Sequence, residues 1–409
     1  MPASQILNDI RALTQYQGFT KLALARFISN VGNGITPIAL SFGILGLPNG
    51  SASQLSLVLG SQMIPLLIFM LFGGVVGDRY KRNKIVGGSD ILGSAFVMVS
   101  ASSFIFGFVS IPLLCVMGAL FGLLNALWWP AFSGVLPEIL PKGELQRGNS
   151  VVGLLTNFGY TAGALVGGIL VTIAGSGWAL AVDALSFFIA GALVWSIDLP
   201  KILRDGGQTM FQELRAGWRE FVSRKWVVSV VLAFTFINLA YESTIGVLGP
   251  LATKESGYGP REWSFMLAVS TVGMIITGLA LLRFRLNRPL VYGITPMLFM
   301  SLWIFALTFG THIWIPIIIA FFAGVAIEIF YVAWSTSMQH NIPEESYSRV
   351  ISYDALGSFA LAPIGLIFIG PLAEQIGTKN ALYILAGLVL VATLYALSVR
   401  EVRMVRNKT

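Results

Sequence analysis

QLSLVLGSQMIPLLIFMLFGGVVGDRYKRNK, Gln54 to Lys84, holds the pattern that decides the fold: an uncharged apolar run over 54–76, followed at once by a basic cluster. A helix needs about 20 mostly apolar residues to cross a hydrocarbon core roughly 30 Å thick, because no backbone N–H or C=O can stay unpaired in lipid. The run meets that requirement, and eleven more like it occur along the 409 residues. The twelve lie within 19–46, 54–76, 85–107, 111–135, 149–174, 177–197, 226–251, 262–282, 289–309, 313–337, 349–373 and 379–399. Composition agrees, with 56% apolar and only 11% charged residues, against roughly 25% charged in soluble domains, and a mean hydropathy of +0.79. The chain is read as an all-α integral membrane protein of twelve transmembrane helices with short connections, which leaves no room for a soluble domain.

Basic residues orient the helices, since cytoplasmic loops near helix ends retain Lys and Arg. With both termini in the cytoplasm, all of the 26 Lys and Arg fall on that side except Lys254, Arg261 and Lys379 outside and Arg26 within a helix. The net charge of +7 is therefore topological, and no nucleic-acid partner is expected. The first 18 residues are polar, so no removable signal peptide is expected. Cys115, the single cysteine, lies inside the fourth span and can make neither an intrachain disulfide nor a thiolate metal cluster.

The chain also repeats itself. A shift of 202 residues lays Pro141 and Arg147 on Pro343 and Arg349, and superposes Gly163 on Gly365, Gly168 on Gly370 and Gly175 on Gly377. A shift of 204 pairs Arg79, Lys81, Asn83 and Lys84 with Arg283, Arg285, Asn287 and Arg288. The pattern implies a six-helix bundle over 1–197, a cytoplasmic linker over 198–225 and a second six-helix bundle over 226–409. Within the linker Phe211, Leu214, Trp218, Phe221 and Val222 recur at helical spacing. That stripe suits a helix lying in the headgroup boundary, or equally a linker helix packed on the ends of the bundle.

GDRYKRNK, Gly77 to Lys84, is the most specific local motif. Its basics beside Asp78 either bond carboxylates and helix carbonyls across a gap between helices, or serve only as a positive-inside loop. On Gly77, Asp78, Arg79 and Arg82 the chain resembles the Major Facilitator Superfamily, whose signature after the second helix is a Gly, an Asp-Arg pair and further basics. ARFISNVGNGITPIAL (Ala25–Leu40), WPAFSGVLPEILPKGELQRGNS (Trp129–Ser150) and AVDALSFF (Ala181–Phe188) look like the drug-exporting, macrolide-efflux-like branch, which includes siderophore exporters. In GYTAGALVGG, Gly159, Gly163, Gly167 and Gly168 match the glycines of that branch's antiporter motif, with Ala164 in place of its usual proline; Gly34 stands where relatives often carry an acid. The likeness implies two pseudo-symmetric six-helix bundles, an inward gate and alternating access. Residue by residue it places Gly77, Asp78, Arg79 and Arg82 at that gate, with Asp90, Arg349 and Asp354, and a pairing of Asp354 with Arg79 or Arg82. On their own terms, Gly159, Gly163 and Gly167 share one helix face, and small residues let two helix backbones approach closely in lipid.

Ionisable groups inside a membrane cost roughly 2.5 to 3.5 kcal/mol at a helix centre and are functional candidates by default. Arg26 lies about two turns into the first helix, with Asn30 and Asn33 on the same face; the stripe faces a cavity, or Arg26 snorkels to the headgroups. Glu242 and Glu328 lie nearest the midplane, beside Asn238 and Tyr331. A carboxyl there is expected to hold a proton while dry and to release it when water arrives, as proton antiport requires; the rival reading is a fixed ion pair with Arg26. Asp183 is expected to be a structural hydrogen-bond acceptor. Trp128, Trp129, Tyr331 and Trp334 stand on the fourth and tenth helices, which line the central cavity in the family this chain resembles, and Asn157 on the fifth joins the cavity set.

Other chemistries find little support. There is no G-x-x-x-x-G-K-[ST] loop for a nucleotide, and His312 and His340 are the only histidines, without H-E-x-x-H or C-x-x-C, so neither an enzyme, a metal site nor a cofactor is expected. The expected function is export of a small amphipathic or hydrophobic compound, drug-, antibiotic- or siderophore-like, from a bacterial cytoplasmic membrane by a proton antiporter, with a monomer as the default state. The alternatives are an uptake transporter and a non-transporting receptor or assembly protein of the same fold.

Overall fold

In lipid each apolar run must satisfy its own backbone hydrogen bonds, and every one of them does so as helix. The computed structural model describes residues 13–199, 218–281, 287–310 and 312–406, with the backbone alone at 71–79, 142, 146 and 344–349. Among the described residues twelve helices are long and apolar enough to span a membrane. They are α1 (Phe19–Leu45), α2 (Ala52–Arg79), α3 (Arg82–Phe106), α4 (Ile111–Ser133), α5 (Leu145–Ala174) and α6 (Ser176–Trp195). After the linker come α7 (Lys225–Glu255), α8 (Pro260–Leu281), α9 (Pro289–Ala306), α10 (Trp314–Asn341), α11 (Val350–Ile376) and α12 (Thr378–Ser398). The seventh runs past the expected end at 251, because Lys254 and Glu255 stop the hydropathy before the backbone ladder stops.

The chain forms two units, one of residues Met1–Gly50 and Leu57–Asp205, the other of Ser51–Ser56 and Gly206–Thr409. In the first, α1 packs on α5 and α6, and α6 on α3. Contact between α1 and α5 runs through the glycine face: a Cβ on Gly159 would lie 2.7 Å from the carbonyl oxygen of Phe27, one on Gly167 2.9 Å from Ile35 Cα, and one on Gly163 on the carbonyl of Val31. Gly168 is buried beside them. No hydrophobic effect drives helices together in lipid, so this backbone-to-backbone approach supplies van der Waals contact instead. Against α6, Gly32 leaves room for the side chain of Asp183, which is wholly buried and accepts the Thr36 hydroxyl.

In the second unit α8 packs on α10, α7 on α11 and α12, and α9 on α10 and α12. Helix α7 is interrupted by a π-helical turn, Thr244–Leu248, directly after Glu242 and Ser243. Such turns open the ladder locally and recur at functional sites. The sequence repeat is visible in the backbone: Gly175 joins α5 to α6 at φ 86°, and Gly377 joins α11 to α12 at φ 87°. Both are single-residue junctions at positive φ, where a Cβ would be strained.

Most of the joining segment, including Phe211 and Leu214, lies outside the described residues. Its end packs on protein: Phe221 is buried among Val227, Val231, Met338, Ile342 and Val350, and Trp218 meets Tyr353 edge-on at 5.4 Å.

A candidate substrate cavity

The second unit encloses a cavity of about 410 Å³ lined by α7, α9, α10 and α11. Helical periodicity builds its walls. Phe234, Asn238 and Tyr241 stand at i, i+4 and i+7 on α7, while Phe330 and Trp334 stand at i and i+4 on α10. Phe234 and Phe330 stack with centroids 3.7 Å apart and planes 15° from parallel, and Phe330 continues the stack to Trp334 at 6.0 Å and again 15°. The result is a stair of three rings along one side.

Among the described residues one charged side chain lines this cavity, Asp354 on α11. Trp334 Nε1 donates to its Oδ2 at 2.9 Å and Ser358 Oγ to its Oδ1 at 3.0 Å. Asn238 ties α7 to α11 by donating Nδ2 to the carbonyl of Ser358 at 2.9 Å. Three residues singled out from the sequence, Asn238, Tyr331 and Trp334, thus meet in one cavity with a fourth, Asp354.

Asp354 borders the cavity with its carboxylate held by Trp334 and Ser358, while the side chain of Arg79, one of its two expected gate partners, lies outside the described residues. Arg82 pairs with Glu138 at 3.2 Å, both side chains largely buried. Sequence gives depth along a helix but not the rotation that turns Asp354 toward α10. The side chains of Gly77, Asp78, Arg79 and Arg349 lie outside the described residues.

Glu242 and Glu328 do not line the cavity. Among the described residues of the second unit neither forms an ion pair. Glu328 lies beside Gly278 of α8.

Arg26 has different neighbours. Its guanidinium sits over the rings of Trp128 at 4.7 Å and Phe132 at 4.5 Å, which stack on each other at 4.6 Å. Asp90, buried on α3, is its electrostatic partner. Asn30 turns back to donate to the Arg26 carbonyl at 2.7 Å; Asn33 is half-buried, while Trp129 and Asn157 are exposed. Phe132, Phe234, Phe330 and Tyr241 escape sequence reading because a ring on an apolar helix looks like ordinary packing. The available signal was their spacing of three or four residues from Trp128, Asn238 and Trp334.

This architecture has known counterparts. The sequence profile of the Major Facilitator Superfamily matches residues 22–357 and 235–409, and the chain belongs to that family. The multidrug efflux pump Tap of Mycolicibacterium fortuitum is 24% identical over 87% of this chain and 89% of its own. Macrolide efflux protein A of Streptococcus pyogenes is 25% identical over 92% and 94%. Among solved structures, the bacterial homologue of the human lysosomal transporter Spinster superposes with a TM-score of 0.73 at 15% identity, covering 95% of this chain and 98% of that one. The nucleoside transporter NupG gives 0.73 at 13%, covering 93% and 98%. The protein is a membrane-embedded transporter of small molecules, and family membership excludes an enzyme.

Proposed function

We propose that this transporter exports a small amphipathic or hydrophobic compound across a bacterial cytoplasmic membrane in exchange for protons. The carrying observation is the cavity: about 410 Å³, walled by rings and apolar side chains and marked by few polar groups, which is the make-up of a site for a drug-sized ligand. The relatives' names point the same way, one to multidrug and one to macrolide efflux. Passage is by alternating access, open to one side at a time, with both termini in the cytoplasm as the basic loops imply. Gly77, Asp78, Arg79 and Arg82 close the cytoplasmic side, and Glu242 or Glu328 carries the coupling proton.

Expression in a bacterium lacking its own drug pumps tests the reading. Raised minimum inhibitory concentrations of macrolides or other amphipathic antibiotics, lost with Asp78→Asn, are expected. Unchanged susceptibility across the panel, with the protein shown to be in the membrane, would refute it.

A further inference from the structure

We propose that the first unit holds one anionic phospholipid at the end of α6, its phosphate taken by Lys21 and Lys84 and its glycerol ester laid against Trp195. The inference goes beyond the export reading and does not depend on it.

The end of α6 is the first argument. The last carbonyls of a helix have no partner within it, and here side chains from two other helices reach them. Lys84 Nζ, in the first turn of α3, donates to the Trp195 carbonyl at 2.9 Å. Lys21 Nζ, in the first turn of α1, donates to the Ser196 carbonyl at 3.3 Å, and Asn83 Nδ2 to the Ile197 carbonyl at 2.6 Å. Two ammonium groups are therefore fixed on consecutive carbonyls at the surface. Lys81, three residues before Lys84, pairs with the exposed Asp198 at 3.5 Å. An ammonium has three N–H donors, and Lys21 and Lys84 each give one to a carbonyl, so the site keeps donors as well as charge. Like charges held side by side repel, and a phosphate set between them turns repulsion into attraction. Basic groups gathered between helices at a membrane surface suit acidic head groups.

Trp195 is the second argument. The Lys84 ammonium also lies over its ring, 4.5 Å from the centroid. Gly88, one turn further along α3, makes room for the same ring, since a Cβ there would lie 3.1 Å from Trp195 Cζ3. The indole is thus held against α3 while 44% exposed, and an amphipathic ring so placed belongs at headgroup depth. Beyond it Phe188 and Leu185 of α6 and Leu92 of α3 are exposed. From Trp195 to Leu185 the helix rises about 15 Å, half the roughly 30 Å hydrocarbon core and so the depth of one leaflet's acyl chain. Charge, ring and apolar side follow one another as phosphate, ester and acyl chain do in a lipid.

Titration of the purified full-length protein in uncharged detergent with dioleoyl phosphatidylglycerol and dioleoyl phosphatidylcholine tests this, read by native mass spectrometry and thermal unfolding. One phosphatidylglycerol bound at least tenfold tighter than phosphatidylcholine is expected. Lys21→Gln combined with Lys84→Gln should abolish that preference, whereas Lys379→Gln, at an exposed lysine of the second unit, should keep it. Equal retention of the two lipids by the wild type, a preference that persists in the double variant, or the same stabilisation by inorganic phosphate alone would each overturn the inference. Should the double variant fail to fold, the wild-type comparison and Lys84→Gln alone, expected to weaken phosphatidylglycerol binding at least threefold, still decide.

Discussion

The guanidinium of Arg82 meets the carboxylate of Glu138 at 3.2 Å with side chains only 13% and 8% exposed, joining the start of α3 to the short helix Val135–Ile139 that follows α4. Breaking a largely buried pair costs up to about 3–5 kcal/mol. Glu138→Gln should therefore lower the melting temperature of the purified protein sharply, and the exchange Arg82→Glu with Glu138→Arg should recover part of the loss. Since Arg82 lies across Gly134, where a Cβ would collide with it, Gly134→Val should resemble Glu138→Gln.

Helix α5 supplies a paired comparison. A side chain at Gly163 would strike the Val31 carbonyl, whereas one at Gly153 on the same helix meets nothing within 4 Å. Gly163→Ala should destabilise by about 1–3 kcal/mol through overpacking. Gly153→Ala should be neutral or stabilising by up to about 1 kcal/mol, because Ala is the better helix former. Equal melting temperatures for the two variants would contradict the close approach of α1 and α5.

Asp183 makes a prediction about hydrogen bonding rather than charge. Its carboxylate accepts the hydroxyl of Thr36 in a wholly buried site. Asp183→Ala strands that hydroxyl and should cost about 1–3 kcal/mol. Asp183→Asn keeps an acceptor and should lie close to the wild type, a ranking that thermal unfolding in detergent would read directly.

Coupling is tested at Glu242 and Glu328, the two glutamates the sequence puts nearest the midplane. Glu242 stands beside a π-helical turn and Glu328 beside Gly278, and neither has an ion-pair partner among the described residues. At least one of Glu242→Gln and Glu328→Gln should retain substrate binding yet lose transport driven by a pH gradient. Undiminished driven transport in both would remove them from the proton path.

What the sequence made legible follows from what lipid enforces. The twelve spans were readable because each must be long and apolar whatever it packs against, and the two halves because Gly175 and Gly377 fill the same kind of junction. Asn238, Tyr331 and Trp334 stood out as polar or amphipathic groups on apolar helices, and they do meet in a cavity. Phe234 and Phe330 did not, since a phenylalanine inside a membrane helix carries no mark of the face it occupies. Asp354 stood out as an acid entering an apolar helix, whereas its partners Trp334 and Ser358 depend on how α11 is turned, which the chain does not spell out. Arg26 was read as lying on a polar face, but nothing in the sequence told that Trp128, Phe132 and Asp90 would surround it.

The central claim is that protons flowing one way move a small compound the other way through this chain. Its most direct test is accumulation of a radiolabelled macrolide, or of whichever antibiotic the susceptibility panel identifies, by proteoliposomes with an acidic lumen and the membrane potential clamped at zero. The account predicts concentrative, protein-dependent uptake that stops when nigericin collapses the pH gradient. Uptake no greater than that of protein-free vesicles, with the gradient intact and the protein shown to be folded, would contradict it.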